Sequence, residues 1–207
     1  QIDECGICGG QGLYTLYEDA DGDGLGDPEI YINGKLAGRW DYGYNSFYLN
    51  ISDHLIYDED NIISVHADTR GIYSRWYPGA GIFRKIRMIV ANPVHVAIWG
   101  TYVTTRDITG DQASVKIQTS VNNFSEMNKN AVIRTHIIDN NATIVVKASS
   151  DLALQTGESN VIEQELSVPS PKLWDIENPH IYRAVSIIET DGMSRDTVTT
   201  NFGIRDF

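Results

Sequence analysis

The chain has 207 residues and a formal net charge of −12, with 42% apolar residues and 18 glycines. This composition is typical of a soluble globular protein, and the length allows one large or two small domains. An acidic chain without a basic stripe makes nucleic acid an unexpected partner, and no apolar run approaches the roughly 20 residues that a membrane span needs.

The first 29 residues form an acidic leader. It contains eight Asp or Glu residues and no Lys or Arg, whereas residues 30–207 carry 20 acidic and 16 basic residues. Cys5 and Cys8 have the spacing of half a zinc site, a redox pair or a tight disulfide. No other Cys or His follows before His54, and no βαβ pattern surrounds the pair, so a small extracellular disulfide is the favoured interpretation.

The leader also contains an Asp-rich stretch that matches most of a calcium-binding loop. Gly24 takes the sharp-turn position of that template, but Ile30 stands where a closing Glu is expected, so Glu29 or another residue would have to close the site. The alternative is a flexible acidic linker that holds no ion. The stretch resembles the calcium repeats of thrombospondin type 3 and dockerin-like segments of secreted proteins. The predicted Ca²⁺ ligands are four carboxylates and one backbone carbonyl: Asp19, Asp21, Asp23, Leu25 (through its carbonyl) and Asp27.

Residues 30–92 are predicted to form short strands separated by turn residues. Asn33-Gly34 between two apolar arms is the strongest hairpin signal, because both residues accept a positive φ. Further strands are predicted over residues 45–51, 61–67 and 86–90. Before the last of these, residues 74–84 (SRWYPGAGIFR) place Trp and Arg side chains around a sharp turn. Such a turn suits either a sugar-binding surface or a bulge whose Trp fills the core.

Residues 93–207 are predicted to form an immunoglobulin-like β-sandwich. Short strands recur about every 8–12 residues, and residues 115–121 alternate cleanly between apolar and polar side chains. Asn92-Pro93 marks the expected domain boundary. Trp174 is expected to fill the end of the sandwich core. The predicted strands cover residues 94–99, 102–105, 113–121, 131–138, 143–148, 161–168, 182–189 and 196–202.

Several blocks of the chain, in order, resemble glycoside hydrolase family 2, the β-galactosidases, β-glucuronidases and β-mannosidases. They are residues 30–38 (IYINGKLAG), 43–47 with 49–52, 61–68 (NIISVHAD), 74–84, 171–174 (PKLW), 178–179 and 202–205 (FGIR). This resemblance implies an all-β chain, in which part of a sugar-binding jelly roll (residues 30–92) is followed by the immunoglobulin-like sandwich (93–207).

The resemblance also implies what the chain lacks. Family members hydrolyse β-glycosides by a retaining mechanism, with an acid/base Glu and a nucleophile Glu about 5–5.5 Å apart on a following (β/α)₈ barrel. The sequence shows no barrel pattern, and no Glu of the sandwich has a His or Arg constellation around it. We therefore expect no catalytic residue here. The Glu residues of the sandwich and its loops that this excludes are Glu158, Glu163, Glu165, Glu177 and Glu189.

In the family, the first domain contributes side chains to the rim of the active site. The resemblance makes Asp68, Arg75 and Trp76 candidate substrate-binding residues. A carboxylate at position 68 would accept hydrogen bonds from sugar hydroxyls, or it would simply cap the turn that follows. Arg75 and Trp76 would border the pocket or pack in the interior.

Three functions remain open from the sequence. The chain is expected to be a non-catalytic region of a family 2 glycosidase that frames a sugar site, a carbohydrate-binding or adhesion module on a calcium-stabilised stalk, or a structural spacer. A partial jelly roll leaves sheet edges open, so association through those edges is expected. The leader favours a secreted, periplasmic or cell-surface location.

Overall fold

The computed structural model describes residues 28–41, 45–67 and 85–205. The chain divides into two compact units between Arg87 and Met88, and the predicted boundary after residue 92 stays a prediction. The all-β architecture is confirmed: the described residues form three antiparallel sheets, one short 3-10 helix at Ser52–His54 and no (β/α)₈ barrel. No helix among them is long and apolar enough to cross a membrane.

The first unit contains a three-stranded sheet with the order β2-β1-β3. Its strands are β1 (Glu29–Ile32), β2 (Lys35–Arg39) and β3 (Ile63–His66). The predicted hairpin between β1 and β2 is confirmed, with φ values of 52° at Asn33 and 76° at Gly34. Asn33 also ties the turn to the segment before β3, because its side chain donates to Asn61 Oδ1 at 2.8 Å and accepts from the Ile62 N–H at 2.9 Å.

The strand predicted over residues 45–51 does not form. This segment lies against β2 through side chains instead of pairing with it through the backbone. Phe47 stacks on Trp40 with ring centroids 5.5 Å apart, and Leu49 packs over Gly38, where a Cβ would come within 2.7 Å of the leucine Cδ1. Asn50 then turns the chain into the 3-10 helix by accepting hydrogen bonds from the backbone N–H and hydroxyl of Ser52.

The strand predicted over residues 86–90 is also wrong. Alternation of apolar residues favours a strand, but a strand needs a neighbour to satisfy its backbone N–H and C=O groups. Within the described residues, 85–91 pair with no strand, and the side chains are exposed, with Val90 86% accessible. The alternation is typical of a strand, but no described segment pairs with these residues.

The second unit is a seven-stranded sandwich, which confirms the predicted immunoglobulin-like domain. One sheet has the order β4-β5-β8 and the other β10-β9-β6-β7. The two strands predicted over residues 94–105 are one long strand, β4, with an irregularity after Val96. The strands are β4 (Val94–Arg106), β5 (Gln112–Asn123), β6 (Lys129–Ile138), β7 (Ile144–Leu154), β8 (Ser159–Pro169), β9 (Tyr182–Thr190) and β10 (Met193–Phe202).

The sandwich core consists of two aliphatic clusters separated by polar side chains. One cluster includes Ile117, Ile137 and Leu166, and the other includes Ile133 and Val121. Between them, five strands each place a hydroxyl or amide side chain. We call this set the polar layer: Thr119, Thr135, Ser150, Gln164 and Ser186.

Gln164 connects the two sheets within the polar layer. It is 4% exposed, accepts a hydrogen bond of 2.5 Å from the Thr135 hydroxyl, and donates to Ile133 O at 3.2 Å and to Ser150 Oγ at 3.0 Å. Because Gln164 lies on β8 while its partners lie on β6 and β7, these bonds cross the sandwich. A buried amide with all of its partners satisfied costs little and fixes the alignment of the sheets.

Trp174 lies at one end of the sandwich but is half-buried rather than enclosed in the core. Its ring packs over Gly203, where a Cβ would approach within 2.9 Å of the tryptophan Cβ. Its backbone N–H donates to Ile204 O at 2.7 Å, and the Arg205 guanidinium carbon lies 5.2 Å from the ring centroid. The Trp174 ring therefore covers the end of β10 from the outside and lies against Gly203 and Arg205.

Candidate functional site

The residues predicted to bind substrate or metal lie outside the described residues. These are Asp68, Arg75 and Trp76 of the proposed rim, the calcium ligands Asp19, Asp21, Asp23, Leu25 and Asp27, and the pair Cys5 and Cys8. Their roles remain predictions. The described residues that come nearest in sequence to the rim are those of β3, whose last residue, His66, precedes Asp68 by two positions.

A buried carboxylate lies beside that end of β3. Glu29 of β1 is 6% exposed and pairs in register with His66 of β3. The Tyr31 hydroxyl donates to Glu29 Oε2 at 2.6 Å, and His66 Nδ1 lies 3.6 Å from the same oxygen. Glu29 and Tyr31 are two residues apart on one strand, so both side chains lie on the same face.

This carboxylate changes the chemistry of its neighbour. The hydrogen bond from Tyr31 to Glu29, together with burial and the negative charge of Glu29, raises the pKa of Tyr31 to about 12. Tyr31 therefore acts as a donor that holds Glu29 in place on β1, the strand that pairs with β3. Glu29, a possible closing ligand of the calcium loop, instead points its carboxylate at Tyr31 within β1.

Two carboxylates on β8 are held in ion pairs. Glu163 and Glu165 lie two residues apart on the solvent face of β8. Glu163 Oε1 lies 2.6 Å from Lys116 Nζ and its Oε2 accepts from Gln118 at 3.1 Å. Glu165 Oε2 accepts from Arg106 at 3.0 Å, and its Oε1 accepts from the Ser114 hydroxyl at 2.7 Å.

These bonds decide what the two carboxylates can do. The hydrogen bond from Lys116 holds the pKa of Glu163 below its usual range, and the hydrogen bond from Ser114 does the same for the pKa of Glu165. A glycosidase acid must instead be protonated near neutral pH, which requires a raised pKa. Both groups are therefore ionised at neutral pH and cannot protonate a leaving group.

The other three glutamates that the sequence excluded are placed differently. Glu189 on β9 accepts from Arg134 Nε at 3.0 Å across the sheet, while Glu158 and Glu177 are exposed in loops. Among the described residues, no group of three or more His, Cys, Asp or Glu side chains could hold a metal ion.

Comparison with known families identifies the sandwich. Residues 94–205, which make up the sandwich and more than half of the chain, match the family model described as "Glycosyl hydrolases family 2". The chain belongs to glycosyl hydrolases family 2. The resemblance noted in the sequence blocks is confirmed for the family, while the calcium-type leader is not covered by that match.

Curated relatives of this family 2 chain include enzymes with two activities. It is 36% identical over 180 residues to "Beta-galactosidase BoGH2A" of Bacteroides ovatus, an alignment that covers 86% of this chain and 21% of the relative. It is 28% identical over 200 residues to a "Beta-glucuronidase" of Formosa agariphila, covering 86% of this chain and 20% of the relative. The chain thus spans about a fifth of the length of these relatives.

Solved structures agree on the family 2 fold. A glycosyl hydrolase family 2 member from Bacteroides cellulosilyticus superposes with a TM-score of 0.80 at 32% identity, over 89% of this chain and 26% of that one. A β-glucuronidase of family 2 superposes with a TM-score of 0.77 at 25% identity, over 88% and 21%. The non-catalytic β-sandwich region of the family is therefore what residues 94–205 form.

Sequence reasoning missed the cluster of Glu29, Tyr31 and His66. The spacing of Glu29 and Tyr31 was a usable signal, since residues at i and i+2 of a strand share a face. The contribution of His66 depended on the register between β1 and β3, which no local pattern specifies.

Proposed function

We propose that this chain is the accessory β-sandwich region of a β-galactosidase-like glycosidase, whose chemistry is performed by a barrel that lies outside residues 1–207. The named activities of the curated relatives support a β-linked glycoside as the substrate of the whole protein. In this proposal the chain supplies the rim of the sugar site, and the barrel supplies both catalytic carboxylates.

The observation that carries the proposal is the state of Glu163 and Glu165. They lie two residues apart on one face of β8, and hydrogen bonds from Lys116 and Ser114 lower the pKa of Glu163 and of Glu165, respectively. A retaining pair needs one protonated and one ionised carboxyl group. The family sandwich thus supports a role in substrate placement and domain structure rather than in bond cleavage.

The rim is proposed to include Asp68, Arg75 and Trp76. Asp68 follows β3, which pairs with β1, the strand that carries the bonded side chains of Tyr31 and Glu29. A carboxylate, a guanidinium and an aromatic ring together match the hydroxyls and apolar C–H face of a sugar. In the longer polypeptide, Asp68→Ala and Trp76→Ala should raise KM for an aryl β-galactoside more than they lower kcat.

Two measurements test this function. The chain alone, mixed with aryl β-galactoside and aryl β-glucuronide, should release no aglycone above the rate without protein, and hydrolysis that survives repurification would overturn the proposal. The longer polypeptide that contains residues 1–207 should hydrolyse one of the two substrates. Asp53→Ala, which changes an exposed carboxylate in the 3-10 helix, is the matched control for Asp68→Ala.

A second candidate rests on the Asp-rich leader, which suits a secreted or cell-surface module on a calcium-stabilised stalk. Four carboxylates within nine residues repel one another unless a cation lies between them. Ca²⁺ should therefore raise the melting temperature of the chain, and Asp21→Asn with Asp23→Asn should abolish the increase while Asp53→Asn retains it. No calcium-dependent increase in the unsubstituted chain would contradict this candidate.

A further inference from the structure

Two cationic side chains of the sandwich strands, Lys147 on β7 and Arg183 on β9, have no acidic ion-pair partner within the described part of the chain. The other Lys and Arg residues of these strands are all paired with carboxylates: Arg106, Lys116, Lys129, Arg134 and Arg195. In a chain whose formal net charge is −12, Lys147 and Arg183 therefore carry positive charge that the sandwich itself does not neutralise.

The strand register places these two cations on one face of the four-stranded sheet. His136 of β6 pairs with Lys147, and the residue two positions further along β6 pairs with Arg183. Residues that are paired across strands, or that are two apart on one strand, share a face. The neighbours Ile137 and Ala184 are fully buried in the core, so Lys147, His136 and Arg183 lie on the outer face.

The same face continues across β9 and β10 with uncharged side chains. Val185 and Ile187 of β9 are half-buried, and they pair with Thr199 and Thr197 of β10, which are exposed. Val185 also pairs with His136, which places this aliphatic strip beside the cations. The outer face therefore carries hydroxyl groups on β10, aliphatic groups on β9 and cations toward β7.

The acidic side chains of this face lie away from the two cations. Glu189 is bonded to Arg134 Nε at 3.0 Å, and Asp151 follows Lys147 by four residues along β7. A strand rises about 3.3 Å per residue, so Asp151 is about 13 Å from Lys147, which exceeds the Debye length of about 8 Å at physiological salt. Neighbouring carboxylates therefore do not cancel the positive charge at Lys147 and Arg183.

These groups decide which ligand the face fits. A neutral sugar would make no use of the cations. Single-stranded nucleic acid relies on stacking with aromatic rings, and the described strands of this sheet place no Phe, Tyr or Trp on the outer face. An acidic sugar uses every group present, because it offers carboxylates to the cations, C–H groups to the aliphatic strip and hydroxyls to the threonines.

We propose that the outer face formed by Lys147, His136, Arg183, Val185 and Thr199, named the cationic face, binds an oligosaccharide whose rings carry carboxylates. The carboxylates pair with Lys147 and Arg183, the ring C–H groups pack on Val185, and hydroxyls bond to Thr199. The choice of a sugar rests on the proposed function, whereas the site is additional to the proposed rim and consists only of sandwich residues.

The test is a calorimetric titration of the full chain with an oligogalacturonate. Binding should saturate at about 0.01 M salt and weaken at about 0.15 M salt, because the Debye length falls from about 30 Å to about 8 Å. Lys147→Ala and Arg183→Ala should each weaken binding about two- to fivefold, and the double variant about four- to twentyfold. Lys147→Arg, which keeps the charge, should retain binding.

A matched control and two other ligands complete the test. Lys116→Ala removes the same charge from the opposite sheet and should leave the affinity unchanged. A neutral galacto-oligosaccharide and single-stranded oligothymidylate should both bind more weakly than the oligogalacturonate. The proposal is overturned if the oligogalacturonate does not saturate, if the folded double variant binds as the unsubstituted chain does, or if either of the other ligands binds equally well.

The outcome is separable from that of the proposed function. Hydrolysis of an aryl β-glycoside by the longer polypeptide, without oligogalacturonate binding by this chain, would remove the cationic face and leave the proposed function standing. Oligogalacturonate binding that is lost in the double variant, together with a longer polypeptide that hydrolyses neither aryl glycoside, would support the cationic face and contradict the proposed function.

Discussion

The sandwich and the three-stranded sheet of residues 28–67 differ in how many of their apolar side chains are buried. In the sandwich, inward side chains such as Ile117 and Ile133 are fully buried. In the smaller sheet, only Ile30 and Ile32 of β1 are buried among the apolar side chains, while Ile62 and Ile63 before and in β3 are exposed. Side-chain amides and a buried carboxylate tie the smaller sheet together instead.

This difference indicates where stability resides. Burial of aliphatic side chains contributes about 25 cal/mol per Å² of area removed from water, so the sandwich should dominate the unfolding free energy. The smaller sheet depends on side-chain hydrogen bonds such as the one between Asn33 and Asn61, and each such bond contributes a net of about 1 kcal/mol. The following substitutions test that division.

The largest expected effect is at Ile133. Ile133→Ala should lower the free energy of unfolding by about 2–5 kcal/mol, because it removes buried methyl groups and leaves a cavity. Ile63→Ala, the same change at a side chain that is half exposed in β3, should cost less than half as much. Urea unfolding followed by circular dichroism measures both, and equal losses would mean that the two units share stability evenly.

The next effect concerns the hydrogen bonds across the sandwich. Gln164→Leu should cost about 1–3 kcal/mol, because the hydroxyls of Thr135 and Ser150 lose their partner in the interior. Gln118→Leu is the control on the solvent face of the adjacent strand and should change stability by no more than about 0.5 kcal/mol. A Gln164→Leu variant as stable as the unsubstituted chain would show that the amide is not needed.

A smaller effect of opposite sign is expected at Thr119. Its hydroxyl is fully buried and has no hydrogen-bond partner in the described part of the chain. Thr119→Val keeps the shape and removes the unsatisfied group, so the melting temperature should stay the same or rise. Thr135→Val, which removes a hydroxyl bonded to Gln164, should lower it. Destabilisation by both would indicate that Thr119 is hydrogen-bonded in solution.

The smallest expected effect is a loss of stability at alkaline pH, and it concerns the three-stranded sheet. The pKa of Tyr31 is raised from 10.0 to about 12 in the folded chain, so the neutral phenol is favoured by folding. Its contribution is fully present below pH 10 and is lost as the pH rises from 10 toward 12. Phenolate absorbance should show one late-titrating tyrosine that disappears in Tyr31→Phe but persists in Tyr57→Phe, which changes an exposed ring. A Tyr31 that titrates with the exposed tyrosines would disprove the bond to Glu29.

The sequence predicted the sandwich well because its signals are local. Alternation in β5 and the turn residues between strands determine which residues face inward, and Asn33-Gly34 determines a hairpin by backbone preference alone. The strands predicted over residues 45–51 and 86–90 failed because pairing is a non-local property. Leu49 packs over Gly38, where the missing side chain leaves room for it. This contact joins residues distant in sequence and becomes visible only in the folded chain.

The functional residues were less accessible to sequence reasoning. The family resemblance correctly identified a non-catalytic region, and the ion pairs of Glu163 and Glu165 give the physical reason why these carboxylates lack an acid role. The contact between His66 and Glu29 could not be predicted, because it depends on the register between β1 and β3.

The polar layer has a mechanical consequence for the sandwich. Two purely aliphatic sheets can slide past each other because one methyl group replaces another with little change in energy. Here a slip along the strands would carry the Gln164 amide away from Thr135 and opposite the methyl groups of Ile133 or Ile137, where it has no partner. The amide therefore opposes sliding of one sheet against the other. The domain can then transmit force between its two ends while the alignment of the two sheets is kept.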